Sequence, residues 1–388
     1  MQRRARGGFT PIEVIITIVI LLLIVAIALP AMHHARESSR RAHCQSNLKD
    51  SGLALHNYES AYKRFPSGGK GTYWEQLKVS EVQYTPAAEA NPVLVPNGTA
   101  FDSQSTFTTI LPYFVEFHPG TTPQGDLPCN TDQETPPGQQ TRNQASQRWG
   151  KFLCPSNPIG AADPAGYGQT DYAPTVFVDI AITGSLTAPG SAPAGTYDPA
   201  TPTSRRSRLD GFLALGGTPF GLITDGTSNT IAVAESAGRG FAASRLATSP
   251  HRSPAGTRDT CGSADGTASS GYRCPNRWAD PDNALGLSGP PPPLERKRVI
   301  NNHSLPIGGP PECPWSTENC GPNDEIFSFH TGGAQAVLGD GAVKFLSENM
   351  DPAVVAKLVA RADSELVDLP GCGSYRRTSQ PKQGSRKR

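Results

Sequence analysis

Several ordinary ingredients are scarce in this 388-residue chain. Charged side chains make up 18% and aromatics 7%, and 35 basic residues against 34 acidic ones leave a formal net charge of +1. A general nucleic-acid binder masses basic residues over one face, so nucleic acid is not an expected partner. No G-x-S-x-G, H-E-x-x-H, phosphate-cradling loop or dinucleotide fingerprint occurs, and nothing in the sequence recommends an enzyme. Other absences are local. Residues 1–8 carry Arg3, Arg4 and Arg6 and no acid, and from Val14 to Leu29 there is no charge at all. Between Ala31 and Lys63 there is no proline and one glycine, Gly52. After Gly371 the tail holds Arg376, Arg377, Lys382, Arg386, Lys387 and Arg388 without an acid, which reads as a disordered basic tail over 371–388.

What is abundant is glycine (40) and proline (37), together about 20% of the chain against the ~12% of average usage. The length suits one to three domains, with a core set among many turns and long loops.

The 21 residues from Phe9 to Leu29 contain one charge, Glu13, and are long enough as a helix to cross a ~30 Å hydrocarbon core. The basic flank before them places the amino end in the cytoplasm and the remainder outside. A cleavable signal peptide has the same basic start and apolar middle. Here no small-x-small cleavage site follows cleanly, since the run ends in Pro30-Ala31-Met32-His33. Glu13 also lies inside the apolar stretch, where an acid is a functional hypothesis by default.

The string Gly8-Phe9-Thr10-Pro11-Ile12-Glu13-Val14 resembles the processing signal of type IV pilins and type II secretion pseudopilins. That resemblance implies cleavage between Gly8 and Phe9 by a prepilin peptidase and methylation of the new Phe9 amine. It also implies that Glu13, fifth in the mature chain, pairs with the amine of a neighbouring subunit, so that two charges are buried together rather than one alone. Pro11 replaces the leucine more usual in the motif; in a first helical turn it loses no hydrogen bond. A plain, uncleaved signal anchor is the competing reading.

Pro30 is expected to kink or locally unwind the helix, which then resumes. Cys44, Leu48, Gly52, Leu55 and Tyr62, with Tyr58 on the adjacent row, form a stripe that can lie on a globular domain. The opposite face, with Arg36, Glu37, Arg40, Arg41, Lys49 and Asp50, is expected to be solvated, and His33 and His34 to sit at the membrane interface. Pro66-Ser67-Gly68-Gly69 stops the helix.

The stretch from Cys44 through Tyr58 resembles a large bacterial group of pilin-like proteins that end in a His, nine residues, then Asp-Gly. Here that signature is His330, Asp340 and Gly341. Leu111-Pro112-Tyr113, Phe152 to Ser156 and Ile223 to Thr230 are further stretches of that kind. The resemblance runs from Gly8 to about Asp351 and implies an α+β, pilin-like fold: a long N-terminal helix packed on an antiparallel sheet.

Strand-like runs with turn signals between them are Trp149–Cys154, Tyr172–Val178, Thr230–Glu235, Phe327–His330, Ala334–Leu338 and Ala342–Leu346. The last two flank Gly339-Asp340-Gly341, a hairpin signal. Phe107–Phe117 reads as a short helix. Pro119–Ser146, Ser185–Arg206, Ser244–Tyr272 and the tetraproline Pro290–Pro293 read as loops. The organisation is therefore leader 1–8, membrane and assembly helix 9–30, helical spine 31–65, exported β domain 66–370 and tail.

Eight cysteines in an exported domain read as disulfides rather than thiolate metal ligands, and their spacing makes no paired C-x-x-C zinc arrangement. On the order of a hundred pairings exist. Cys313/Cys320 and Cys261/Cys274 are the nearest local pairs, and Cys129/Cys154 would tie a loop to the core. His330 and Asp340, at opposite ends of one strand, would stand ~30 Å apart. They make no dyad; Asp340-Gly341 would supply the turn and His330 satisfy a strand end. Asp225 and Asn229, in a short oxygen-rich loop, are calcium candidates, and an Asx-type turn explains them equally.

The expected function is that of a structural prepilin-like subunit in a pilus or type II secretion pseudopilus of the bacterial inner membrane. Its partners would be the peptidase, an assembly platform with its ATPase, and sibling subunits. The alternative is a membrane-tethered exported module that binds glycan or surface polymer without forming filaments.

Overall fold

The structure is a computed structural model and describes residues 11–72, 93–94, 99–101, 104–114, 135–158, 163, 166–178, 209–239, 276–287, 298–302 and 325–362. The leader, the basic tail and six of the cysteines (129, 261, 274, 313, 320 and 372) lie outside these residues, as do nearly all the segments read as loops.

One helix, α1 (Pro11–Tyr62), runs for 52 residues, or about 78 Å at 1.5 Å per residue. It is continuous through Pro30, so no unwinding accompanies that proline. Its N-terminal part contains a window with a mean hydropathy of 3.3, none of it buried, long and apolar enough to cross a membrane. Its C-terminal part buries Cys44, Asn47, Leu48, Ser51, Gly52, Ala54, Leu55 and Tyr58. The stripe is therefore as expected except at its end: Tyr62 is exposed and stacks on Tyr58, which takes the buried place.

The main sheet is built from β4 (Tyr172–Val178), β5 (Leu209–Asp210), β6 (Ile231–Glu235), β7 (Leu285–Leu287), β8 (Gly333–Leu338) and β9 (Val343–Ser347). Its order is β5-β4-β6-β8-β9, all antiparallel, with β7 joining β4 in parallel. A separate three-stranded antiparallel sheet has β3 (Thr99–Phe101) between β1 (Lys70–Thr72) and β2 (Val93–Leu94).

Alternation along the strands sends residues to two cores. Val233 and Val337 face α1 together with Leu48, Leu55, Phe107, Phe152 and Trp278. Ile231, Ala234, Ala336 and Leu338 face the other way, onto α4 (Pro352–Val359), whose Val355, Leu358 and Val359 cover them. The sheet thus lies between the spine helix and a short C-terminal helix. Asp351 caps α4 by accepting from the Ala353 N–H, and Pro352 occupies its first position.

The hairpin forms as its turn signal predicts. Gly341 takes φ +82, and Asp340 Oδ1 accepts from the Ala342 N–H. Three local expectations are corrected. Trp149–Cys154 is not a strand: Gly150–Phe152 is a 3-10 turn that drives Phe152 into the core against Phe107 and Trp278. Phe327–His330 is not a strand either; Ile326 and Phe327 make isolated bridges to Ile300 and Ser236. Within the run read as loop, Thr135 caps a helix, α3 (Pro136–Ala145). The run read as a short helix becomes α2 (Thr106–Ile110) followed by a 3-10 turn over Leu111–Tyr113.

Candidate functional site

The best-defined polar cluster lies where α1 crosses the sheet. Cys44, from the helix, and Cys154, just after the 3-10 turn, form a disulfide across 110 residues with Cα atoms 5.4 Å apart. This replaces the Cys129/Cys154 pairing expected from sequence. Turn chemistry places Cys154: its backbone N–H donates to Asp171 Oδ2 at 2.7 Å, and Asn157 donates to Asp171 Oδ1.

His330 stands beside that disulfide with its side chain fully buried. Its Nδ1 lies 2.5 Å from Glu37 Oε1, and its Nε2 lies 3.4 Å from Glu235 Oε1 and 3.6 Å from Cys154 Sγ. Glu235, at the end of β6, is wholly buried, and its Oε2 accepts from the Gln335 N–H at 2.8 Å. Ser156 Oγ donates to the second oxygen of Glu37. His330 therefore does more than satisfy a strand end: it joins the spine helix to the central strand through two carboxylates.

The electrostatics follow from burial and like charge. Desolvation opposes a proton on His330, but Glu235 and Glu37 outweigh it and raise its pKa. Asp171 is pushed up to about 6 by desolvation, with Glu235 adding to the rise, while the Cys154 and Gly238 N–H groups and Asn157 hold it down. Tyr172 is driven well above its usual range by burial and by the Glu235 charge.

Further contacts continue up the helix. Arg41, expected to be solvated, donates to the Thr331 carbonyl, accepts on its own carbonyl from Gln335 Nε2, and lies over the Phe345 ring at 4.4 Å. Asn47 Nδ2 reaches the Gly150 and Leu153 carbonyls and the Tyr172 hydroxyl. Asp50 pairs with Lys151 at 2.8 Å. Gly52 faces the hairpin so closely that an added Cβ would meet Val337 Cγ2 at 2.9 Å and Gly341 Cα at 3.2 Å. The face read as solvated is thus partly an interface, through Glu37, Arg41 and Asp50.

The His-x9-Asp-Gly signature acquires a physical meaning from this ladder. Its histidine docks at Glu37 and its glycine at Gly52, two points on one helix separated by about 22 Å of rise. Asp340 itself is exposed in the turn, away from His330.

The remaining sequence candidates fall elsewhere. Gly8 and Phe9 lie outside the described residues, and Glu13 sits in the first turn of α1 on its exposed part. Asp225 and Asn229 share a turn in which Asn229 Nδ2 donates to the Asp225 carbonyl. That turn braces the hairpin, since Thr227 and Thr230 carbonyls accept from the Asp340 and Gly339 N–H groups. Among the described residues, metal-ligating atoms converge at Cys44, Cys154, Glu235 and His330, all within 4.8 Å of one another. From sequence, Glu37 belongs to a face expected to be solvated and Glu235 ends a strand-like run, and no local signal links either to His330.

Residues 33–353 match the family described as proteins of unknown function, DUF1559. The chain belongs to that family. It is a family typical of bacterial proteins with a pilin-like N-terminal signal. The match starts within α1, so it covers the docked half of the helix, the sheet and every member of the cluster, and leaves out most of the apolar half. A search of curated proteins and a search of solved structures each return no match.

Proposed function

We propose that this protein is a structural prepilin-like subunit, cleaved between Gly8 and Phe9, N-methylated on Phe9, and assembled through the apolar half of α1 into a pilus or type II secretion pseudopilus. The observation that carries this reading is the division of one unbroken helix. Its N-terminal half exposes Ile12, Leu22, Ile27 and their neighbours on all sides, and its C-terminal half is fixed to a folded domain. Bare apolar helix surface of that length is stable only in lipid or against other apolar helices. Glu13 supplies the one charge in the stretch and, on this reading, pairs with a neighbouring subunit's terminal amine in the assembled filament. The basic flank at Arg3, Arg4 and Arg6 orients the chain with residues 31–370 outside the inner membrane. The peptidase, the assembly platform with its ATPase and sibling subunits are the partners this reading requires.

The test is incorporation. Glu13→Ala and Gly8→Ala should each abolish recovery of the protein in sheared filaments or cross-linked oligomers, with the exported domain's melting temperature unchanged. Parental incorporation of both variants would overturn the reading and favour a tether carrying a binding module.

A further inference from the structure

We propose that the dithiol form of this protein binds one zinc ion through Cys44 Sγ, Cys154 Sγ, His330 Nε2 and Glu235 Oε1. The proposal is independent of filament formation and rests on the geometry beneath the spine helix.

Three separations define the site. His330 Nε2 to Glu235 Oε1 is 3.4 Å, Cys154 Sγ to His330 Nε2 is 3.6 Å, and Cys154 Sγ to Glu235 Oε1 is 3.9 Å. A tetrahedral zinc with sulfur ligands at about 2.3 Å and nitrogen or oxygen ligands at about 2.0–2.1 Å has ligand–ligand edges of roughly 3.3–3.8 Å. The three atoms already form one face of such a tetrahedron. Cys44 Sγ, within 4.8 Å of all of them, supplies the fourth corner. Thiolate and imidazole donors select a borderline-soft ion of this kind over calcium or magnesium, which take oxygen ligands.

The surroundings are those a metal site needs. Glu37 holds Nδ1 of His330, which fixes the ring and turns Nε2 inward, in the carboxylate–histidine arrangement found behind metal-bound imidazoles. The Gln335 N–H holds Oε2 of Glu235 and leaves Oε1 facing the sulfurs. All four ligand residues are buried, and they come from α1, the turn after Phe152, the end of β6 and the turn before β8.

The disulfide and the metal compete for the same sulfurs. A dithiol reductant transfers two electrons and two protons to the Cys44–Cys154 bond, leaving two thiols and becoming a disulfide itself. Zinc then displaces the two thiol protons and forms two metal–sulfur bonds, with no further redox change. Spine and domain are joined in either state, by a sulfur–sulfur bond or through the ion.

The experiment uses the full chain in detergent, reduced with dithiothreitol, desalted without oxygen and titrated with cobalt and then zinc. A parallel chain with Cys129, Cys261, Cys274, Cys313, Cys320 and Cys372 replaced by serine removes competing thiols. The expected result is one cobalt per chain, with thiolate-to-cobalt charge transfer and the intense visible bands of a tetrahedral ion, both bleached by one equivalent of zinc. Cys154→Ser should remove most of the charge transfer, and Glu37→Gln should weaken binding about 10–100-fold. Zinc-edge X-ray absorption should show two sulfur and two lighter ligands. Should the serine chain fail to fold by circular dichroism, wild type against His330→Ala decides, with one equivalent lost from the variant. No bound cobalt in the folded, reduced chain, or a spectrum unmoved by His330→Ala and Glu235→Gln, would overturn the proposal and leave the cluster a disulfide only.

Discussion

The two halves of α1 reverse the usual relation between residue type and burial. The amino half is almost entirely Ile, Leu and Val, and it is exposed; Leu22 is 63% accessible. The carboxy half carries Arg41, Asn47, Asp50 and Ser51, yet Asn47 and Ser51 are buried against the sheet. Backbone propensity does not separate them, because the helix is continuous. Neighbours separate them: one half meets a folded domain whose carbonyls, carboxylates and ring faces suit its polar groups, and the other keeps its apolar side chains exposed. A helix with that inversion is built for two environments.

That contrast can be broken from the docked side, and each change below should disturb the domain while leaving the apolar half of the helix unchanged. The largest effect is expected from His330→Ala. It leaves Glu235 buried without its imidazole, and breaking a buried charged pair costs about 3–5 kcal/mol. Thermal or urea unfolding of the sheet domain measures it, and His330→Gln should lose less.

Next is replacement of both disulfide cysteines, Cys44→Ser with Cys154→Ser. This frees a loop of 110 residues and should cost about 2–4 kcal/mol in oxidising buffer. The comparison with reduced parent at equal denaturant isolates the cross-link.

Gly52→Val should cost about 1–3 kcal/mol, since the new side chain must displace Val337 and the Gly341 backbone. It sharpens the account of the signature, because Gly52→Val and a larger residue at Gly341 should be less than additive if both disturb the same contact.

The smallest is Lys151→Ala. Its pair with Asp50 is about one-third exposed at each end, so the expected loss is below about 1 kcal/mol and should shrink in high salt.

Much of the architecture was legible because it depends on local pattern. The apolar run, the 44–58 stripe, the Tyr172–Val178 and Thr230–Glu235 strands and the Gly339-Asp340-Gly341 turn each follow from periodicity or turn chemistry. Trp149–Cys154 misled because a short apolar run does not distinguish a strand from a turn that plugs a core. α4 carries a readable signal too, Asp351-Pro352 followed by Val354, Val355 and Leu358. The cluster was beyond reach for a different reason. Glu37, Cys154, Glu235 and His330 are separated by about 80 to 290 residues, and only the folded sheet brings them together. Disulfide connectivity has the same limit: Cys154 looked nearer to Cys129, but the spine helix places Cys44 beside it.

The most direct measurement is mass spectrometry of the mature amino terminus from protein isolated from its native membrane. The account predicts a chain that begins at Phe9 with a methylated amine. A chain that still begins at Met1 would contradict it, and the apolar half of α1 would then be an anchor alone.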